Sequence, residues 1–194
     1  MTTAVLDACV LYRGVVTDFL LNAADQGLFD PIWSPLIADE WTRNLEARGQ
    51  IPAERIARRR QQMDDAFPGA TCPCDSEVLN RVLLHCRTDK ERKDAHVIAT
   101  AVTADASVIV THNLKDFPDH VFVPFAIAAL KPDTFFCRLA AVDPVGAAAS
   151  AKAHRLSMKK PSLLLDEYLA LLKSPKAELH NSATWLEATS PRAD

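Results

Sequence analysis

Apolar positions along the chain change their period several times, and each change marks an element. Ala4-Val5-Leu6 is a short uninterrupted apolar run, which predicts a buried strand over residues 3–7. Leu11, Val15, Phe19, Leu20 and Ala23 then fall on one helical face that ends near Gly27. Residues 29–33 read as a second short strand. Ser34-Pro35 opens a helix with proline at its first position, and Leu36, Ile37, Glu40, Trp41 and Leu45 carry it to Gly49. Pro52 begins another, with Ile56, Met63 and Phe67 inward and arginines outward; residues 68–73 form a loop. Val78, Leu79, Val82 and Leu83 make residues 75–86 helical. Ala95, Val97, Ile98, Ala101 and Val102 do the same, most clearly of all, for residues 90–105. Residues 107–111 are an apolar strand and 121–123 a weaker one. This alternation of strand and helix predicts a three-layer α/β/α fold around a parallel sheet.

The pattern changes after residue 130. Pro132, Pro144, Pro161 and Pro175 punctuate a region with no β-rich run. Phe135-Phe136, the Ala-rich stretch 147–153, and residues 163–172 and 179–186 read as short helices. The expected organisation is an α/β domain over 1–130 followed by a helical C-terminal extension over 131–194. A chain of 194 residues suits one domain with such an appendage, and 48% apolar residues suffice for a sizeable core.

Composition removes several functions. The five glycines stand at 14, 27, 49, 69 and 146, no two close together, so neither a Gly-rich phosphate loop nor a dinucleotide fingerprint can be built. A net charge of −3 gives no whole-protein basic field, and any nucleic-acid binding must use local patches. The N-terminus has no basic segment before its apolar run, and no run of about eighteen apolar residues exists, so neither a signal peptide nor a membrane span is expected. Five cysteines, an odd number without a disulfide framework, fit a reducing cytosol.

Candidate chemistry resides in acids placed where an open α/β sheet faces its ligand crevice. Asp7 closes the first strand. It also stands where a phosphatase nucleophile would, but that chemistry needs an acid two positions on, where this chain has Cys9. Its structural alternative is a helix N-cap. Glu40 lies beside an apolar helical face, where a carboxylate is costly unless paired or metal-bound. Asp39 is its rival, and a surface ion pair is the alternative role. Asp94 stands near the start of the 90–105 helix among Lys90, Arg92 and Lys93, where an acid also complements the helix dipole. His96, two residues on, is expected to point away from Asp94; a structural role is expected, with contact to substrate as the alternative. Asn113 and Asp116 follow the 107–111 strand at the edge that carries Asp7, where turn chemistry is the alternative. Carboxylates gathered without cations repel one another, and hard divalent ions relieve that repulsion. The set therefore suits Mg²⁺ or Mn²⁺ chemistry on a phosphate ester, with charge relief on the phosphate and activation of water.

Asp-x-x-Val-Leu from residue 7, Glu40, Asp-x-His-Val-Ile-Ala-x-Ala from residue 94 and Val-Ile-Val-Thr-x-Asn-x-x-Asp-Phe from residue 108 together resemble the PIN-domain ribonucleases. Within them the chain looks most like the VapC-type toxins of bacterial toxin–antitoxin pairs. The resemblance covers about residues 2–125. It implies a metal-dependent endoribonuclease, and the composition places it in the cytoplasm. It also implies that Asp7, Glu40, Asp94 and Asp116 are catalytic metal-binding acids, with Asn113 in a supporting polar role. The partners it implies are RNA and a small antitoxin; a homodimer is open, since the sequence does not give the oligomeric state. Independently of the resemblance, attack by a metal-bound water needs no ribose 2′-OH, so a 3′-hydroxyl and a 5′-phosphate are expected. A housekeeping RNA-processing nuclease and a non-catalytic RNA- or protein-binding module are the alternatives.

Arg87, Lys90, Arg92 and Lys93 flank Asp94 and are the expected RNA-binding cluster. Arg55, Arg58, Arg59 and Arg60 form a second basic stretch, equally an ordinary solvated face. Cys72, Cys74, His85 and Cys86 lack the spacing of zinc ligands and are expected to be plain loop and helix residues.

Overall fold

The computed structural model describes residues 1–158 and 163–189; Pro161, one of the expected punctuation points, lies outside them. The elements run β1 (Thr2–Leu6), α1 (Ala8–Leu11), α2 (Gly14–Asp25), β2 (Phe29–Ile32), α3 (Pro35–Arg48), α4 (Ala53–Ala66), α5 (Ser76–Leu83), α6 (Asp89–Thr103), β3 (Val108–Val110), α7 (Asp119–Phe122) and β4 (Ala128–Leu130). They continue with α8 (Pro132–Val142), α9 (Pro144–Ser157), α10 (Leu165–Lys173) and α11 (His180–Thr189). The strand order is β2-β1-β3-β4. β1 and β4 both run parallel to β3, with Val5 opposite Ile109 and Ile109 opposite Ala129. The architecture is the expected α/β/α arrangement with a helical C-terminal part.

Packing divides the chain into two compact units. One holds Thr2–Tyr12 and Asp30–Leu130, the other Arg13–Phe29 and the chain from Lys131 on. In the first, α6 packs on β1 and β3. Val5, Leu6, Val97, Ile98, Ile109 and Val110 are buried there. β1 and β3 are apolar at every position from Ala4 to Leu6 and from Val108 to Val110, as strands with no wet face must be. In the second unit, α2 packs on α9, and α11 on α8 and α10. Phe19 lies 4.4 Å from Phe136 and Phe29 4.9 Å from Phe135, ring centre to ring centre. His154 and Tyr168, both buried, share a 2.9 Å hydrogen bond.

Ser34 accepts from the Ile37 amide at the start of α3, Pro35 is at its first turn, and Gly49 ends it with φ of 65°. Only a residue without a Cβ adopts that left-handed turn freely. The apolar period that runs to Gly27 covers two helices, because the chain leaves helical geometry at Arg13 (φ −91°, ψ 94°). The strand expected over 121–123 is not one. Pro118 precedes the short helix α7, and Pro124 sits in a 3-10 turn over Val123–Phe125. Proline has no amide to give a ladder. The strand beside β3 is Ala128–Leu130 instead, whose Ala-Ala-Leu has little β propensity of its own and is held by its ladder.

Candidate active site

The parallel ladder brings together two chain segments a hundred residues apart. Asp7 follows β1, and its amide donates to the Val110 carbonyl at 3.1 Å. That places Asp7 next to Thr111, the residue after β3. The Thr111 hydroxyl, fully buried, donates to Asp7 Oδ2 at 2.6 Å. The Cys9 thiol donates to the same oxygen at 2.9 Å and lies 3.3 Å from Thr111 Oγ1. Asp7 stands at the N-cap position of α1 but makes no capping hydrogen bond, so its side chain is left for the site. It is only 8% exposed. Burial raises its pKa, and the two donors oppose that rise. Burial and the adjacent Asp7 push the Cys9 thiol up to about 12. Cys9 is therefore a proton donor to Asp7 at neutral pH and not a nucleophile. Thr111 was not among the expected site residues. Its signal is a hydroxyl at the first position after a wholly apolar strand.

Glu40 is carried by α3, where half-burial would disfavour its charge. His96 Nε2 lies 3.5 Å from Glu40 Oε2, and this hydrogen bond is the main cause that lowers the Glu40 pKa. Lys93 and Arg43 act in the same direction. His96 thus stands against Glu40, a partner that its position relative to Asp94 did not reveal. The two helices face each other across this pair, so a residue two positions past Asp94 still reaches the site. Asp39, the rival of Glu40, pairs instead with Arg60 at 2.6 Å on an exposed surface.

Asp94 lies in the second turn of α6. The first turn belongs to Asp89 and Glu91, and Thr88 with Glu91 forms a reciprocal capping box. The dipole role open to Asp94 is therefore taken by others. Its pKa is raised to about 6, first by burial and then by the charges of Asp7, Asp116 and Glu40. Asp94 is thus within electrostatic reach of the other three expected acids. Asp116 ends a 3-10 turn over Leu114–Asp116, and its amide donates to the Asn113 carbonyl at 2.9 Å. Lys90 Nζ stands 2.6 Å from Asp116 Oδ1. Asn113 is exposed, and its amide donates to Thr111 Oγ1 at 3.0 Å.

Among the described residues no three Asp, Glu, His or Cys side chains are drawn together tightly enough to hold an ion as they stand. The donor set nevertheless suits a hard divalent cation. It is four carboxylates from separate elements, one of which has its ionisation held back by burial and then by the other three.

The basic cluster around Asp94 is divided by the fold. Lys90 is held by Asp116, and Arg92 donates to the Cys86 carbonyl at 3.5 Å. Arg87 is exposed, and its backbone amide donates to Glu91. Lys93 lines an open cleft of about 500 Å³ with Leu36, Glu40, Arg43, Asn44 and His96. In α4, Arg60 is paired with Asp39, and the Arg59 guanidinium lies 5.3 Å from the centre of the Trp41 ring. The cysteines considered for zinc have packing roles: the buried Cys86 thiol donates to the Val82 carbonyl, and the His85 ring stands 5.4 Å from Phe125.

Residues 132–188 match the VapC50 C-terminal domain. Over 43 residues the chain is 58% identical to a Mycobacterium tuberculosis protein named "Putative ribonuclease VapC50". That stretch is 22% of this chain, and the chain spans a quarter of the relative's length, 25%. No solved structure matches the chain. Residues 3–115, which include β1 with Asp7, α3 with Glu40 and α6 with Asp94, match the PIN domain, and with this match over more than half of its length the chain belongs to the PIN-domain family.

Proposed function

We propose that this protein is a metal-dependent endoribonuclease and the toxin of a toxin–antitoxin pair. The observation that carries the reading is the gathering of Asp7, Glu40 and Asp116 about Asp94, whose pKa is raised to about 6 by burial first and then by their charges. A protein that only binds has no use for such repulsion. Asp7, Glu40, Asp94 and Asp116 would hold Mg²⁺ or Mn²⁺ and act as the catalytic acids, with Asn113 in support. Such an ion, when bound, relieves charge on the phosphate and activates water. The chain's own residues prepare the place. Thr111 and Cys9 fix the direction of Asp7, His96 keeps Glu40 ionised, and Lys90 must release Asp116 before that carboxylate can serve. Lys93, with Arg87 and Arg92 further out, supplies positive charge for RNA.

The nuclease domain is taken as 1–130 and the helical extension as 131–194; the two family matches fall on either side of that boundary. The expected partners are RNA and a small antitoxin. The Lys90–Asp116 pair supports a docking mode in which an inhibitor's Arg or Lys sits on these acids, where a guanidinium could pair bidentately. The two PIN-containing alternatives separate on simple observations. Growth arrest on expression distinguishes a toxin from a housekeeping nuclease. Metal-dependent cleavage distinguishes either from a binding module. None of the described helices is long and apolar enough to cross a membrane, and a cytoplasmic site of action follows from the RNA substrate.

The direct test is Asp94→Asn. Mg²⁺- or Mn²⁺-dependent RNA cleavage should be lost while the fold, followed by circular dichroism, is retained. Cleavage at the wild-type rate by this variant, or by the wild type in excess EDTA, would overturn the nuclease assignment.

A further inference from the structure

The α3 sequence places Leu36, Glu40, Arg43 and Asn44 at helical spacing along one face, and α6 places Lys93 and His96 one turn apart. These six residues line the open cleft of about 500 Å³, which lies within the ~300–1,000 Å³ range of small-molecule sites. Its floor includes Glu40, one of the proposed catalytic acids. Lys90 is held by Asp116 and Arg60 by Asp39, whereas Arg43 and Lys93 act on Glu40 through their charge and are in none of these close pairs. The cleft thus offers two cations, an amide with both donor and acceptor atoms, and the exposed apolar Leu36.

We infer that this cleft is a nucleotide subsite, taking the RNA unit next to the cut with its phosphate against Arg43 and Lys93 and its base beside Leu36 and Asn44. The inference rests on the nuclease reading and goes beyond it by naming where the neighbouring nucleotide is held. An arginine fork suits a phosphate, and an amide can read a base edge. Glu40 repels a phosphate that enters too deeply, so the two cations set how far along α3 the backbone lies. Arg43 and Asn44 fall outside the basic stretches seen in the sequence, because each is polar in an amphipathic helix and only α6 makes them part of a cleft.

The test measures binding without cleavage. A labelled single-stranded RNA oligonucleotide is titrated in EDTA, and fluorescence anisotropy is read at several salt concentrations. Arg43→Ala should weaken binding about tenfold, as expected for one charge-assisted contact. It should also reduce the salt slope by roughly 0.7, the value for one phosphate contact on a single strand. Arg43→Lys should keep most of the slope. Asn44→Ala should leave the slope unchanged and narrow the difference in affinity between oligonucleotides of different base. Both residues are exposed, so their loss should not unfold the protein, and a melting curve checks this. An Arg43→Ala protein that is folded and binds with unchanged affinity and slope overturns the subsite, as does a wild type that does not bind the oligonucleotide. If the wild type binds and Arg43→Ala weakens it as stated but no metal supports cleavage, the subsite stands and the nuclease reading fails.

Discussion

Asp7 and Asp133 are almost equally buried, 8% and 7% exposed, yet the protein treats them in opposite ways. Asp133 lies in the first turn of α8 and serves the start of α11. Its Oδ2 accepts from the Asn181 amide at 2.9 Å and Asn181 Nδ2 at 2.8 Å. Its Oδ1 accepts from the Ser182 amide at 2.8 Å and Ser182 Oγ at 2.6 Å. The carboxylate therefore works as an N-cap supplied by another helix, and it satisfies amides that no intrahelical carbonyl reaches. Asp7 receives a hydroxyl and a thiol at one oxygen and help from the Ala8 backbone, yet it stands near Glu40 and burial raises its pKa. A buried acid with its donors complete is structure; a buried acid left short of donors and close to other acids is held ready for something else.

The largest effect should come from emptying the structural site. Asp133→Ala would leave two amides and a hydroxyl of α11 without acceptors, and should destabilise the second unit by about 3 kcal/mol or more. Urea unfolding followed by Trp185 fluorescence, with the other tryptophans replaced, measures it. Asp133→Ala matching the wild type would break the comparison.

Acid should then divide the two regions. Burial lowers the His154 pKa from 6.5 to about 4. Its neutral form is bound in the folded state only, so its stabilisation is complete above the unfolded value of 6.5. It is lost as pH falls from there towards 4, an effect of about 3 kcal/mol. His154→Phe should flatten that slope. A melting temperature whose pH dependence is unchanged by the replacement would remove His154 as its cause.

Asp94 should show the reverse sign. Its folded pKa of about 6 lies above the ordinary 3.8, so in metal-free protein its penalty is absent below 3.8 and complete above 6. Asp94→Asn should therefore stabilise the metal-free protein at pH 7, by about 1 kcal/mol once solvent screening is allowed for. The gain should vanish towards pH 4. Destabilisation at pH 7 would mean that the charge of Asp94 is compensated in the native protein.

The smallest change is expected at Thr111→Val, which keeps shape and removes one donor from Asp7. A loss of about 1 kcal/mol or less in metal-free stability should accompany weaker Mn²⁺ binding by calorimetry. Mn²⁺ affinity equal to the wild type would show that Asp7 needs no such orientation.

Local patterns carried much of this molecule. The bounds of α3 were legible because serine, proline and glycine act on their own neighbours. α6 was legible from its apolar period and β3 from its uninterrupted run. The acids were legible as candidates because each stands at a strand end or on a helix face with a recognisable neighbourhood. Residues 121–123 show the limit. Val-Phe-Val looks like a strand, but flanking prolines make helical turns, and the strand is Ala128–Leu130, which only the exposed ladder of β3 selects. What joins Thr111 to Asp7, His96 to Glu40 and Asp133 to α11 is absent from any window of the sequence. Helix and turn propensities act over a few residues, whereas these contacts span 104, 56 and about 48 positions, decided by sheet register and helix packing. The sequence by itself determined the family resemblance, the succession of elements up to β3 apart from the break at Arg13, and the acids worth watching. The tertiary structure alone decided which acids remain uncompensated, because charge and burial depend on neighbours that are distant in the chain and adjacent only after folding.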